Sequence, residues 1–111
     1  MSNYTLIFDD LIKKQLQKLK EHEPIRAVLS RMFDAIEERG VLIGKCIDLP
    51  LHLYEMKAKS PPVRLYFKQI GPTEILLFEF ELKTSPEKQR LTIAKLKWKI
   101  QTLLKTLYLS V

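Results

Sequence analysis

Apolar positions recur along this chain with two periods, and each period marks a different kind of element. Tyr4 to Phe8 is a short apolar run that predicts a strand. Asp9 or Asp10 then offers the side-chain oxygen of a helix N-cap, and Ile12, Leu16 and Leu19 follow at i, i+4 and i+7. This first helix is predicted to end near Glu21-His22-Glu23. Pro24 suits the first turn of a second helix, where its missing N–H leaves no bond unmade. Ile25, Val28, Leu29, Met32, Phe33 and Ile36 keep the helical period, and Gly40 suits the C-terminal cap. Two helices joined so closely predict an antiparallel hairpin.

The period changes after a break. Gly44, Asp48 and Pro50 interrupt residues 41–51, which read mainly as loop. Leu53 to Lys57 and Val63 to Ile70 then alternate apolar and charged residues across Ala58-Lys59-Ser60-Pro61-Pro62, the pattern of two adjacent strands. Gly71-Pro72 turns the chain into a further strand, Glu74 to Lys83. Strict alternation there puts Leu76, Phe78, Phe80 and Leu82 on one face, and Ile75, Leu77, Glu79, Glu81 and Lys83 on the other. Ser85-Pro86-Glu87 is a helix start: cap, proline in the first turn, then an acid near the positive helix end. The helix is predicted from Pro86 to about Leu107, packing through Ile93, Leu96, Ile100, Leu103, Leu104 and Leu107, with Trp98 read as core. Lys88, Lys95 and Lys99 fall on another face.

The predicted order is β-α-α-β-β-β-α in a single domain, 1–111. The last three strands are joined too tightly for parallel crossovers, so they form an antiparallel meander. The fold class is α+β in two layers: a small antiparallel sheet packed on the N-terminal helix hairpin, with a C-terminal helix.

Composition narrows the function. A hydrophobic fraction of 46% and a charged fraction of 29% are those of a globular domain. Cys46 is the sole cysteine, no apolar run approaches the ~20 residues that span a bilayer, and residues 1–5 lack signal-peptide character. The expectation is a cytoplasmic protein with no membrane contact. Net charge is +6, and it is segregated: residues 1–55 carry −1 and residues 56–111 carry +7. A segregated excess points to an acidic partner. Lys57, Arg64, Tyr66 and Lys68 share one predicted sheet face, a cationic surface with an aromatic that suits a phosphate backbone. Metal-ligand spacings and phosphate-cradling glycine loops are absent, so neither metal nor cofactor is expected. His52 reads as a surface or half-buried residue, and Glu55 as an ion-pair partner of Lys57 or Arg64.

These residues also carry a resemblance. Leu53-Tyr54-Glu55-Met56-Lys57 is similar to the Leu-Tyr-Glu-Leu/Met-Arg/Lys run of the RelE/ParE toxin superfamily. Val63-Arg64-Leu65-Tyr66-Phe67 looks like its arginine-bearing strand, Leu76-Leu77-Phe78-Glu79-Phe80 like the strand that follows, and Lys83-Thr84-Ser85-Pro86 like its Lys-Thr-x-Pro run. Order and spacing most resemble the RelE- and HigB-like (phage-derived toxin-like) branch, over nearly the whole chain. The resemblance implies the toxin of a type II toxin–antitoxin system: a ribosome-dependent mRNA endonuclease, neutralised by a cognate antitoxin, possibly of helix-turn-helix type. In such enzymes the 2′-OH attacks the adjacent phosphate. Matched positions assign Arg64 to phosphate stabilisation, Lys57 and Lys83 to phosphate contact or proton transfer, Tyr66 to a base, and Lys68 and Arg90 to peripheral RNA contacts. The lysine run at Leu82-Lys83 is shorter than in many relatives, and Glu79 and Glu81 stand where some carry a histidine. A ParE-like gyrase inhibitor and a catalytically inactive antitoxin-binding module remain the alternatives.

Overall fold

A computed structural model of the chain describes residues 3–20, 23–82 and 85–109, with side chains through residue 105. In chain order the elements are β1 (Thr5–Phe8), α1 (Asp10–Lys18), α2 (Pro24–Arg39), a short 3-10 helix (Gly40–Ile43), β2 (Lys45–Asp48), β3 (Leu53–Lys59), β4 (Pro62–Gln69), β5 (Glu74–Leu82) and α3 (Pro86–Leu109). The predicted caps are present. Asp9 accepts from the Leu11 N–H, and Pro24 opens α2. Gly40 closes α2 at φ 63°, a left-handed backbone angle that glycine adopts without steric cost. The end of the first helix predicted at Glu21-His22 lies outside the described residues.

One five-stranded sheet runs β1-β5-β4-β3-β2. The meander β3-β4-β5 is antiparallel, as its short turns require. β1 pairs with β5 in parallel, which the long intervening chain permits, so the sheet is mixed rather than wholly antiparallel.

Four expectations are corrected. Lys45–Asp48, read as loop, is an edge strand paired with β3 and irregular between Cys46 and Asp48. Gly44 and Pro50 flank the strand, and Asp48 is its last residue, at the irregular end of the pairing. Gly44 is needed for close approach: a Cβ there would sit 2.7 Å from Cζ of Phe67. Second, the layers number three. Val63, Leu65, Phe67, Ile75, Leu77 and Phe80 pack with Ile12, Val28, Leu29, Met32 and Ile36 of the helix hairpin. Leu53, Tyr66 and Phe78 pack with Leu96 and Ile100 of α3, so α3 covers the opposite face.

Third, alternation fails in β5. Tyr66 pairs with Glu79 but Phe67 with Leu77, leaving Phe78 as the extra residue of a bulge. Phe78 therefore joins Leu76 under α3 while Phe80 joins Leu77 under the hairpin. Fourth, the packing stripe of α3 is shorter than predicted. Leu103 and Leu104 are each 50% exposed, and Trp98 is 69% exposed. A 24-residue helix spans about 36 Å at the usual rise, more than the ~30 Å of a nine-residue strand, so its last turns overhang. Trp98 stands about 200° around the helix from buried Leu96 and faces away from the sheet. The Leu107 side chain is outside the described set.

Candidate nucleic-acid interface

The β3–β4 register sets which side chains share a face. Lys57 pairs with Arg64, Glu55 with Tyr66 and Leu53 with Lys68. β5 continues the rows, placing Glu81 opposite Arg64 and Glu79 opposite Tyr66. Because cross-strand partners project to the same side, Lys57 and Arg64 share a face as predicted, and the acid Glu81 completes their row. It runs along the end of the sheet where α3 begins.

There Lys57, Lys59, Arg64, Glu81 and Ser85 line one open pocket of about 660 Å³. Lys57 and Lys59 are exposed. Arg64 is held from below: its Nη1 donates to Oε1 of Glu55 at 3.4 Å. The other carboxylate oxygen of Glu55 accepts from Nε2 of Gln89 on α3 at 3.0 Å. Glu55 is only 2% exposed, so its charge needs compensation inside the protein, and among the described residues Arg64 and Gln89 provide it. At 3.4 Å the Arg64 contact is long for a charge-assisted bond.

Next to it lies a second buried carboxylate. Glu81 accepts from the Thr92 hydroxyl at 2.9 Å through Oε2. Among the described residues neither its Oε1 nor the Tyr66 hydroxyl, both buried, has a partner in hydrogen-bond geometry. Burial first, then the neighbouring Glu81 carboxylate, holds the Tyr66 phenol far above its ordinary pKa. Burial also pushes the Glu79 carboxyl up, against the opposing pull of Lys95. α3 is thus fastened over the site by Gln89–Glu55 and Thr92–Glu81.

The pocket also receives the start of α3. The Ser85 hydroxyl accepts from the Lys88 N–H at 3.1 Å, and its carbonyl accepts from the Gln89 N–H at 3.0 Å. A helix N-terminus carries partial positive charge and favours an anion. Two exposed ammonium groups, a half-buried guanidinium and a helix start around one open volume suit a phosphodiester. Among the described residues, no group of three or more His, Cys, Asp or Glu is placed to hold a metal ion.

The predicted residues divide accordingly. Lys57 and Arg64 come together. Lys83 lies outside the described residues. Tyr66, expected to meet a base, is 0% exposed beneath α3, where no base reaches it in this conformation. Lys68 is on the same face but at its far end, with Nζ turned onto the Leu51 carbonyl at 2.6 Å. Arg90 is exposed on α3 and the pocket is lined without it. Lys59 and Ser85 were missed as pocket residues. Lys59 is signalled by its two-residue spacing from Lys57, since β3 runs on through residue 59. Ser85 was read only as a helix cap.

No family model matches the chain, and no curated protein sequence does. Solved structures do match. The isolated E. coli RelE toxin superposes with a TM-score of 0.61 at 20% identity, over 84% of this chain and 98% of that one. An E. coli RelE mutant bound to an antitoxin RelB peptide gives 0.63 at 21% identity, over 81% and 94%. The Mycobacterium tuberculosis RelBE2 toxin–antitoxin complex gives 0.60 at 18% identity, over 77% and 97%. Sequence identities this low speak to the backbone alone, and the backbone of this chain has the fold of the RelE toxins.

Proposed function

We propose that the protein is the toxin of a type II toxin–antitoxin system and cuts mRNA on the ribosome, in the manner of the RelE- and HigB-like branch. The observation that carries this reading is the pocket in which Lys57, Lys59 and Arg64 surround the start of α3. In the proposed reaction the ribose 2′-oxygen bonds to phosphorus as the bond from phosphorus to the 5′-oxygen breaks. The 2′-hydroxyl gives up its proton and the 5′-oxygen takes one. Charge grows on the non-bridging phosphate oxygens, and Arg64 is the donor placed to stabilise it. Lys57 and Lys83 contact the phosphate or move protons. Lys59 adds a further cation. Tyr66 supports the sheet face from beneath α3. The partners are the ribosome with its mRNA and a cognate antitoxin, as in the toxin–antitoxin complexes that share the fold, and the site of action is the cytoplasm.

One observation favours a second reading. Glu55 already engages Arg64, which suits a non-catalytic antitoxin-binding module. Mapping mRNA 5′ ends in cells after inducing wild-type and Arg64→Ala protein separates the two. Cuts within translated codons, present with wild type and lost with the variant, are the expected result. Soluble wild-type protein with intact mRNA and normal growth selects the binding module. Cell death with intact mRNA selects a ParE-like gyrase target.

A further inference from the structure

The cationic pocket borders an open edge of the sheet. β2 pairs with β3 only as far as Glu55, so among the described residues no strand lies beside residues 56–59 of β3 on that side. Along such an edge alternate residues turn their N–H and C=O groups outwards. Beyond it lies a second concavity, of about 300 Å³. Lys57, Ala58 and Lys59 line both volumes, so the two meet at the edge of β3. The floor of the second is apolar, with Met56 from β3 and Val28 and Met32 from α2. Arg31 of α2 and Ser60 also line it, and both are exposed.

Three cations, Arg31, Lys57 and Lys59, therefore surround one small volume. The ion pairs of the described residues, Arg64–Glu55, Lys97–Asp48 and Lys99–Asp9, include none of them. Cations elsewhere on the surface are engaged. Lys99 reaches Asp9 at 2.8 Å, Lys68 reaches the Leu51 carbonyl at 2.6 Å, and Arg26 donates to the Leu16 and Leu19 carbonyls at the end of α1. Like charges gathered without an acid repel one another, and an anion between them turns that repulsion into attraction.

Lys57 and Lys59 stand about 7 Å apart along β3, a step that an extended single strand makes between neighbouring phosphates. We propose that the RNA strand leaves the cleavage pocket over the open edge of β3, and that the phosphate next to the scissile one is held between Arg31, Lys59 and the Ser60 hydroxyl. The apolar floor at Met56 and Met32 then lies under the adjoining ribose and base. A phosphate contact of this kind fixes the register of the strand and carries no sequence information. Arg31 is thus a positioning residue: it helps to set the scissile phosphate against Arg64 and touches no reacting atom. RNA fits better than an acidic polypeptide, because the second volume continues from the phosphodiester pocket through shared lysines. The inference rests on the mRNA-cleaving reading and adds a second phosphate subsite to it.

The test is a scan of mRNA on translating ribosomes, in which each phosphate flanking the scissile one is replaced singly by a neutral methylphosphonate. Cutting is read as KM and kcat. Binding is read on the same mRNA made uncuttable by a 2′-O-methyl group on the attacking ribose. With wild type, one flanking replacement is expected to raise KM several-fold and to leave kcat unchanged. Arg31→Ala is expected to raise KM by the same factor on unmodified mRNA, to lower the salt slope of log affinity by about 0.7, and to be indifferent to that replacement. Arg31→Lys should retain most of the affinity. Arg39→Ala, the same charge change about 12 Å along α2, should behave as wild type. Additive effects of Arg31→Ala and the replacement, or a wild-type KM in folded Arg31→Ala protein, overturn the proposal. So does binding of poly-glutamate that Arg31→Ala weakens as much as it weakens binding of RNA. Phosphate-dependent binding through Arg31 by a protein that cuts no mRNA leaves the subsite standing and removes the nuclease reading. Cutting that needs Arg64 but no flanking phosphate does the reverse. A protein that neither binds nor cuts mRNA removes both.

Discussion

The two faces of the sheet are built from alternate residues of the same strands, yet they differ in kind. Under the helix hairpin, Val63, Leu65, Phe67, Ile75, Leu77 and Phe80 are all apolar and no more than 5% exposed. Under α3, Leu53, Tyr66 and Phe78 share the interior with Glu55, Glu81 and Thr92. Burying carboxylates is costly unless they are paired and hydrogen-bonded, so apolar packing alone gives no reason for them there. The first face holds the fold together. The second orients Arg64 and fastens α3 beside it. β4 shows the division within one strand: its odd positions 63, 65 and 67 are core, while its even positions 64 and 66 belong to the polar face.

The contrast predicts a graded set of outcomes. The largest effect belongs to the apolar face. Phe67→Ala is expected to cost about 3–5 kcal/mol in denaturant unfolding, and a loss below ~1 kcal/mol would show that this face does not carry the fold. Arg64→Ala comes next. It leaves Glu55 buried with Gln89 as its remaining partner among the described residues, for an expected stability loss of about 1–3 kcal/mol. Adding Glu55→Gln removes the stranded charge and should recover most of that loss, while mRNA cutting stays absent. Additive losses in the double variant would contradict the Arg64–Glu55 coupling.

Smaller effects sharpen the polar face. Tyr66→Phe removes a buried hydroxyl that has no well-formed hydrogen bond among the described residues, and stability near neutral pH is expected to change by less than ~1 kcal/mol. Because the folded-state pKa is raised, the unfolded chain loses this proton first, and wild-type stability falls as pH climbs past about 10. The variant should lack that part of the decline, so its stability relative to wild type should rise with pH in alkaline unfolding curves. Glu79→Gln is the smallest. A carboxyl raised above its ordinary value of 4.5 favours folding below that pH, and the contribution is lost as pH rises through the folded pKa. The variant should therefore exceed wild type in stability at neutral pH, with the difference closing on acidification. A difference that widens in acid would contradict the burial argument.

How much of this was legible in the sequence depended on how regular each element is. α1 and α2 could be read because a clear period coincides with caps at Asp9, Pro24 and Gly40. The shared face of Lys57 and Arg64 could be read because the β3–β4 pairing is regular throughout. β2 escaped because it is four residues long, irregularly paired and half exposed, so no alternation survives in Lys45–Asp48. The faces of β5 were misassigned past Phe78 because a bulge reverses the alternation, and a run of apolar residues on both sides conceals the reversal. Lys59 was lost to a turn placed two residues too early. The burial of Tyr66 and Glu81 was hidden for a different reason. A sheet face rich in charge reads as solvated, and only the placement of α3, a long-range fact, shows that Gln89 and Thr92 arrive to meet the carboxylates.

The central claim is that the cationic pocket of the polar face performs RNA cleavage. Its most direct test is cleavage of mRNA held on purified translating ribosomes, comparing wild type, Arg64→Ala and Arg64→Lys, with folding of each verified. The account predicts cutting by wild type and a fall of about a hundredfold or more for Arg64→Ala. Arg64→Lys should lie between, because a point charge replaces a planar fork of donors. Equal cutting by wild type and a folded Arg64→Ala protein would contradict it.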